Sequence, residues 1–192
     1  MPWGGRLSEV KDGSGFRGYT LATNDAGATT NDEEIDDMKL TDALLGEHGV
    51  LYALFEHVSY VVATSNEIGE VRSAVSVLKK LLLSHAKLEE DLLFPNLEPR
   101  LGPMGPLAVM RAEHREIDQF FETAKQAEDV DSLKKVVGDL LDVAHAHFQK
   151  EEMALFAMAR QVLDEATLSR LGDEWAASRK VQVDSQGCMG AA

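Results

Sequence analysis

A ten-residue pattern occurs twice in the chain and limits the folds that it can adopt. Residues 85–94 read HAKLEEDLLF and residues 147–156 read HFQKEEMALF, so both copies fit H-x-x-x-E-E-x-x-L-F. Successive residues of an α-helix turn by about 100°, so positions four apart lie on nearly the same face. Each copy therefore predicts a helix that presents a histidine and a glutamate together. The two pairs are His85 with Glu89, and His147 with Glu151.

The repeat extends upstream of each copy. Residues 47–55 read EHGVLYALF and residues 113–121 read EHREIDQFF, and both place a histidine seven residues before a phenylalanine. His48 precedes His85 by 37 residues, and His114 precedes His147 by 33. The chain is thus interpreted as two similar helical hairpins, each with a lone histidine followed by His-x-x-x-Glu.

Hydrophobic periodicity predicts four long helices and a short fifth one, and no segment has the alternation typical of a strand. The predicted helices run from an N-cap at Thr41 to about Thr64, from about Glu67 to Phe94, from about Pro106 to Ala127, from a cap at Asp131 or Ser132 to about Leu163, and from Thr167 to Lys180. Pro95 is expected to end the second helix. Long helices with short connections predict an all-α, up-down-up-down four-helix bundle.

The composition supports one domain with an extension at each end. Hydrophobic residues make up 44% of the 192 residues, enough for a packed core. Residues 1–38 are expected to form an irregular N-terminal arm, packed through Trp3, Phe16 and Tyr19. Residues 39–180 are expected to form the bundle with its short fifth helix, and residues 181–192 a flexible tail. Whether the acidic arm is a solvated linker or a cap over the bundle stays open.

The charge and the cysteine count exclude some classes of function. The formal net charge of −14 argues against a protein that binds nucleic acid or an anionic membrane, because both need a basic surface. No run approaches the roughly 18 apolar residues that span a bilayer, and MPWGGRLSEVKDG lacks the apolar region of a secretory signal. The single cysteine, Cys188, cannot form an intramolecular disulfide. We therefore expect a cytoplasmic protein, with Cys188 a thiol of the tail.

An up-down bundle would bring the four histidines and two glutamates of the hairpins into one core, where helix bundles commonly bind metals. Imidazole suits iron, zinc, copper and nickel, and carboxylates can bridge two ions. Two ions that share both glutamates, with two histidines each, would use all six residues. A bridging hydroxide or oxide would offset the remaining positive charge. A packing motif without metal is the alternative, but it would bury six unpaired polar groups at a cost of several kcal/mol.

The order of these residues, together with EEDLLFPNL at positions 89–97, resembles the hemerythrin-like family of HHE cation-binding domains over about residues 40–175. The resemblance implies a non-haem di-iron centre in a four-helix bundle. The ligands that it implies are His48, His85, Glu89, His114, His147 and Glu151. Oxygen-carrying hemerythrins have a further histidine where this chain has Asp118, which argues against reversible oxygen carriage. Asp118 is either a weak ligand or, as we expect, a hydrogen-bond acceptor outside the ligand set.

Other polar residues near the motifs are expected to lie outside the ligand set. His57 and His145 point away from the ligand face, as do Glu90 and Glu152. We expect Glu47 and Glu113 to lie on solvated faces rather than to orient neighbouring residues. Tyr52 shares a face with His48, so its hydroxyl either binds an oxygen species or packs in the core. The apolar residues expected around the site are Leu51, Phe55, Leu93, Phe121, Phe148 and Phe156.

Three functions fit these residues. The first is a module that binds or senses a small oxygen or nitrogen species: oxygen, nitric oxide or peroxide. The second is a di-iron enzyme that decomposes hydrogen peroxide or turns over nitric oxide, or an iron-handling protein that repairs iron centres. The third is an interaction bundle without ions. Whether the chain is an enzyme, and in which oligomeric state it exists, stays open.

Overall fold

A computed structural model describes residues 38–181, and within that range the chain is all-α, with no strand. The helices are α1 Leu40–Thr64, α2 Ile68–Leu88, α3 Phe94–Leu101, α4 Pro106–Gln126, α5 Val130–Lys150, α6 Phe156–Val162 and α7 Glu165–Arg179. Two π-helical turns interrupt this series: π1 is Glu89–Leu93 and π2 is Glu151–Leu155. The expected N-terminal arm with Trp3, Phe16 and Tyr19, and the tail with Cys188, lie outside the described residues.

Two of the predicted helix caps are wrong. α1 begins at Leu40, so Thr41 lies inside the first turn, where its hydroxyl accepts a hydrogen bond from Arg160 Nε at 3.1 Å. α5 is capped by Asp129, whose Oδ1 accepts from the backbone N–H of Ser132 at 2.8 Å. The sequence offers three good capping residues between 129 and 132, and the cap is the one whose side chain reaches the N–H three residues later.

The sequence predicts that the second long helix ends at Pro95, but the helix continues past this residue. It passes through π1 directly into α3 and continues to Leu101. In π1 the N–H of Phe94 bonds to the carbonyl of Glu89, five residues back, so the turn is wider than in an α-helix. Pro95 lies in the first turn of α3, next to this wide turn, where a missing N–H costs little. The second repeat contains the same wide turn, since the backbone N–H of Phe156 bonds to the carbonyl of Glu151 in π2.

The long helices pack along one another and bury two apolar clusters. α1 packs against α2, α4 packs against α5, and α5 also contacts α1 and α2, while α7 packs on α1. The first cluster contains Leu51, Phe55, Val58, Val71, Leu78, Ile117, Phe121, Val137, Leu140 and Phe148. The second contains Leu40, Leu44, Leu88, Leu93, Phe94, Leu97, Leu107, Leu155 and Phe156. Along each long helical path the motif histidine lies at the boundary between the two clusters. The polar site therefore occupies the middle of the core.

Apolar residues at helical spacing form the buried face of α2, where Val71, Val75, Leu78, Leu82 and Leu88 are all buried. In α1, Leu44, Leu51, Phe55 and Val58 are buried, whereas Leu45 is exposed. None of the described helices combines the length and the apolar character that crossing a membrane requires.

Candidate metal centre

The six residues that the motif predicts converge inside the core. Four histidines come from α1, α2, α4 and α5, and the two glutamates, Glu89 and Glu151, are the first residues of π1 and π2. Within the described residues they form two overlapping groups whose potential ligand atoms lie within 4.8 Å of one another. Position A is His48, His85, Glu89 and Glu151, and position B is His114, His147, Glu89 and Glu151. The two positions share both carboxylates.

Each shared carboxylate offers one oxygen to each position. Glu151 has Oε2 at 3.3 Å from His48 Nε2 in position A and Oε1 at 3.0 Å from His147 Nε2 in position B. Glu89 has Oε1 at 3.6 Å from His85 Nε2 in position A and Oε2 at 3.3 Å from His114 Nε2 in position B. This is the arrangement in which a carboxylate bridges two ions.

Every one of the four imidazoles is held by a glutamate on the side away from the centre. The Nδ1 atoms of His48, His85, His114 and His147 lie 2.9 Å from carboxylate oxygens of Glu152, Glu47, Glu90 and Glu113, respectively. Ionised carboxylates can only accept a hydrogen bond, so each Nδ1 must be the donor. In a neutral imidazole that leaves Nε2 with a free electron pair, directed at the centre.

The inward-facing atoms therefore form a group of acceptors without donors. The Nε2 atoms of His48 and His85 lie 3.0 Å apart, and those of His114 and His147 lie 3.1 Å apart. All four oxygens of Glu89 and Glu151 are buried without a hydrogen-bond partner. Electron pairs at such distances repel one another unless cations or protons lie between them.

These distances fit metal ions. Metal–imidazole bonds are about 2.0–2.1 Å long, so two imidazoles at a right angle on one ion place their nitrogens about 3 Å apart. The set of imidazole and carboxylate donors suits divalent transition metals. The orphaned carboxylate oxygens and the paired Nε2 atoms therefore satisfy the requirements of a two-ion site.

Protons take the place of cations when no metal is bound. Burial lowers the pKa of His114, but the neighbouring carboxylates of Glu89 and Glu90 outweigh burial and raise that pKa to about 9. The pKa values of His85 and His147 are raised above 6.5 by the same kind of carboxylate neighbours, again against burial. Burial raises the pKa of Glu151, but its imidazole partners outweigh burial and the net pKa is lowered. Metal binding must therefore displace protons from the imidazoles.

The glutamates next to the ligands have roles that the sequence reasoning missed. The expectation that Glu47 and Glu113 are solvated is wrong, since their side chains are only 16% and 15% exposed. Each binds the histidine of the partner helix in its hairpin rather than its own neighbour. Glu90 and Glu152 do face away from the inner cluster, as expected, but they hold His114 and His48. The available signal was the doublets Glu-His and Glu-Glu, which occur in both hairpins.

Hydrogen bonds from three side chains on two other helices, α2 and α7, hold Glu47. Burial raises its pKa, but hydrogen bonds from His85, Arg179 and Trp175 outweigh burial and lower the pKa to about 2. The pKa of Glu113 is also lowered, by Lys150 and His147 against burial. Both carboxylates are thus ionised acceptors over the physiological range of pH.

Aromatic rings surround the imidazoles. Phe148 stacks on His48 with ring centroids 3.8 Å apart and an angle of 5° between the planes. Phe94, which the sequence analysis did not single out, stacks on His114 at 5.7 Å and 13°. The six apolar residues expected around the site are all buried.

A cavity of about 10 Å³ lies beside both positions and is lined by Leu82, Leu83, His85, Ala86, His114, Ile117, His147 and Phe148. It is about large enough for one water molecule.

Tyr52 binds Glu152 rather than the centre itself. Its hydroxyl donates to Glu152 at 3.0 Å, and burial together with this carboxylate raises the pKa of Tyr52 to about 12. Asp118 is exposed, and no hydrogen bond joins it to the six residues in the described part of the chain, contrary to expectation. His57 is exposed and outside both positions, as expected. His145 stacks on Tyr52 at 5.3 Å and is likewise outside both positions.

Comparison with known proteins adds independent information. The sequence-family model of the hemerythrin HHE cation-binding domain matches residues 39–159. A curated relative named DNA nickase, from Nostoc sp. (strain PCC 7120 / SAG 25.82 / UTEX 2576), is 26% identical over 157 residues, which are 81% of this chain and 43% of that protein. Iron-sulfur cluster repair protein YtfE of Enterobacter sp. (strain 638) is 28% identical over 98 residues, 44% of each chain. The chain thus spans less than half the length of these curated relatives. No solved structure gave a significant match.

Proposed function

The chain belongs to the hemerythrin HHE cation-binding domain family, and from this premise we propose that it is a non-haem di-iron protein that binds or senses a small oxygen or nitrogen species. The ligands in this proposal are the six residues of positions A and B. The observation that carries it is the group of four orphaned carboxylate oxygens and four inward-directed imidazole nitrogens. Iron, when bound, supplies the change of oxidation state and the open coordination positions.

The proposal includes the topology that positions these ligands. We propose an up-down-up-down bundle of the four long helices, within the domain 39–180 expected from the sequence. The order of the two apolar clusters supports it. α1 and α4 contribute to the second cluster before their histidine and to the first cluster after it, whereas the order is reversed along the helical paths of α2 and α5. Successive long helices that run in opposite directions would produce this alternation.

The protein's own residues would restrict what reaches the centre. The cavity of about 10 Å³ beside His85, His114 and His147 has room for about one water-sized ligand and excludes bulky substrates. The stacked rings of Phe148 and Phe94 keep water from the imidazoles. The four outer glutamates keep each imidazole in the tautomer that offers Nε2 to a metal. Tyr52, protonated at physiological pH, restrains Glu152 and through it His48.

Two alternatives belong to the same centre. One is an enzyme that decomposes hydrogen peroxide or turns over nitric oxide. The other is an iron-handling or iron-centre repair protein, which the similarity to an iron–sulfur cluster repair protein favours. DNA is not among the proposed partners, because a net charge of −14 opposes binding to a phosphate backbone. A cytoplasmic location remains part of the proposal.

Metal content tests the proposal directly. Protein purified from cells supplied with iron should contain two iron ions per chain. Glu151→Ala and His147→Ala should each lower that number, because the altered side chains are proposed ligands. Glu56→Ala and His57→Ala are matched controls on exposed positions of α1 and should retain wild-type iron. A wild-type sample without transition metal would refute the proposal, and iron loss in the controls would show that the ligand face is misassigned.

The visible spectrum separates binding from the alternatives. The anaerobic ferrous protein should show a spectral change with oxygen or nitric oxide that reverses when the gas is removed. Sustained oxygen evolution from added hydrogen peroxide, with an unchanged final spectrum, would instead favour the enzyme. Transfer of iron to a cluster-free iron–sulfur protein would favour the repair alternative.

A further inference from the structure

The C-terminal helix α7 contacts the metal centre through Glu47. Trp175 Nε1 donates to Glu47 Oε1 at 2.7 Å. Arg179 donates from Nε to Oε1 at 2.6 Å and from Nη2 to Oε2 at 2.8 Å. The same Oε2 accepts from His85 Nδ1 at 2.9 Å. We name the pair Trp175 and Arg179 the α7 clamp; it lies outside residues 39–159, which the family model matches.

The equivalent carboxylate of position B has a weaker support. Glu113, which holds His147, accepts otherwise only from Lys150 among the described residues, and the Lys150 side chain is 49% exposed. An arginine presents a rigid planar fork, whereas a lysine is a single charge on a flexible stem. Position A therefore has a bidentate arginine and an indole where position B has one solvated ammonium group.

The other two outer carboxylates, Glu152 and Glu90, show the same difference: the one in position A is restrained more firmly than the one in position B. Glu152, which holds His48 in position A, also accepts from the hydroxyl of Tyr52 at 3.0 Å. Glu90, which holds His114 in position B, has a side chain that is 46% exposed, and no second side chain in the described part of the chain donates to it. Both imidazoles of position A thus have an outer partner that is itself restrained by buried or aromatic groups.

Position B is also more accessible to solvent than position A. His114 is 7% exposed, while the other three histidines are 0–1% exposed. A surface groove of about 360 Å³ lies beside His114 and is lined by Leu83, Ala86, Lys87, Glu90, Asp91, His114, Arg115 and Asp118. Its three carboxylates outnumber its two cationic side chains, Lys87 and Arg115, and Lys87 is paired with Asp91 at 2.8 Å. The groove therefore has a net negative charge, which suits the passage of a cation.

We propose that the two metal positions are inequivalent: position A retains its ion because the α7 clamp holds Glu47 and His85, and position B exchanges its ion through the groove beside His114. The inference rests on the proposed di-iron function and adds which ion is released first. It assigns positioning roles to Trp175 and Arg179, which act on the metal through Glu47 and His85. Loss of such outer hydrogen-bond partners typically lowers metal affinity about 10–100-fold.

Release of Fe²⁺ to an excess of a coloured chelator, without oxygen, tests the inference. Wild-type protein loaded with two Fe²⁺ should release them in two phases of equal amplitude. Arg179→Gln should accelerate the slow phase about tenfold or more and leave the fast phase unchanged. Trp175→Phe, which keeps the aromatic packing, should accelerate the same phase less. Glu90→Gln should accelerate only the fast phase.

The controls separate this inference from the proposed function. Arg170→Gln removes an exposed arginine of the same helix that pairs with Glu174, and it should change neither phase. Circular dichroism of each variant verifies that the helices remain folded. A single release phase in wild-type protein, or a folded Arg179→Gln variant with an unchanged slow phase, would overturn the inference while two bound ions still support the function. A protein that binds no Fe²⁺ would overturn both.

Discussion

A methyl group at Gly172 should push α7 away from α1. A β-carbon built at Gly172 would lie 1.9 Å from the carbonyl oxygen of Met38, 3.0 Å from its carbonyl carbon and 3.4 Å from the nitrogen of Leu40. All three are backbone atoms, so a change of rotamer cannot relieve the contact. Non-bonded heavy atoms prefer separations of about 3.5 Å, so α7 must move by roughly 1.5 Å in the variant Gly172→Ala.

The size of the effect follows from two opposing contributions. Forcing an extra carbon into a packed contact costs about 1–3 kcal/mol, and a contact with rigid backbone should lie at the upper end. Alanine returns about 1 kcal/mol because it is a better helix former than glycine. We expect a net loss of about 2 kcal/mol, which lowers the Tm of a domain of this size by about 4–8 °C.

The assay is thermal unfolding of the metal-free proteins followed by circular dichroism. Gly138→Ala in α5 is the matched control, because a β-carbon there meets no atom within 4 Å. It should raise Tm by about 2–4 °C through helix propensity alone. Gly172→Ala should also accelerate the slow phase of iron release, since moving α7 displaces Trp175 and Arg179. A Gly172→Ala variant as stable as wild type would refute the packing argument.

Three further predictions concern pH, capping and packing. In the metal-free protein the pKa of His114 is about 9 rather than 6.5, so its stabilisation is complete below pH 6.5 and lost as pH rises through 9. Urea unfolding should therefore give a smaller free energy at pH 9 than at pH 6.5, and equal values would contradict the carboxylate partnership. Asp129→Ala should cost about 1 kcal/mol in the same assay, whereas Asp131→Ala should cost little. Phe148→Ala should cost about 3–5 kcal/mol and lower iron content, and a smaller loss would argue against the packing of this ring on His48.

The clustering of the four histidines and two glutamates was predictable because its information is local and duplicated. A helix turns by a known angle per residue, so His85 and Glu89 share a face whatever surrounds them, and the second copy repeats the pair. The upstream Glu-His pairs located the two remaining histidines. The prediction was wrong at Pro95 and at the caps, since a π turn and the choice among neighbouring capping residues depend on small local differences in backbone geometry.

Only the tertiary structure shows which side chains hydrogen-bond to the imidazoles on the side away from the centre. The packing of the two apolar clusters sets the rotation of each helix about its axis. Because of this rotation, Glu47 points across the hairpin to His85 and not into solvent. The α7 clamp joins residues more than 120 positions apart in the chain, so no periodicity within a helix could indicate it. The sequence by itself thus determined which atoms can bind metal. Packing between helices determined how firmly each of those atoms is held, because hydrogen bonds across helices depend on distances that only the folded core defines.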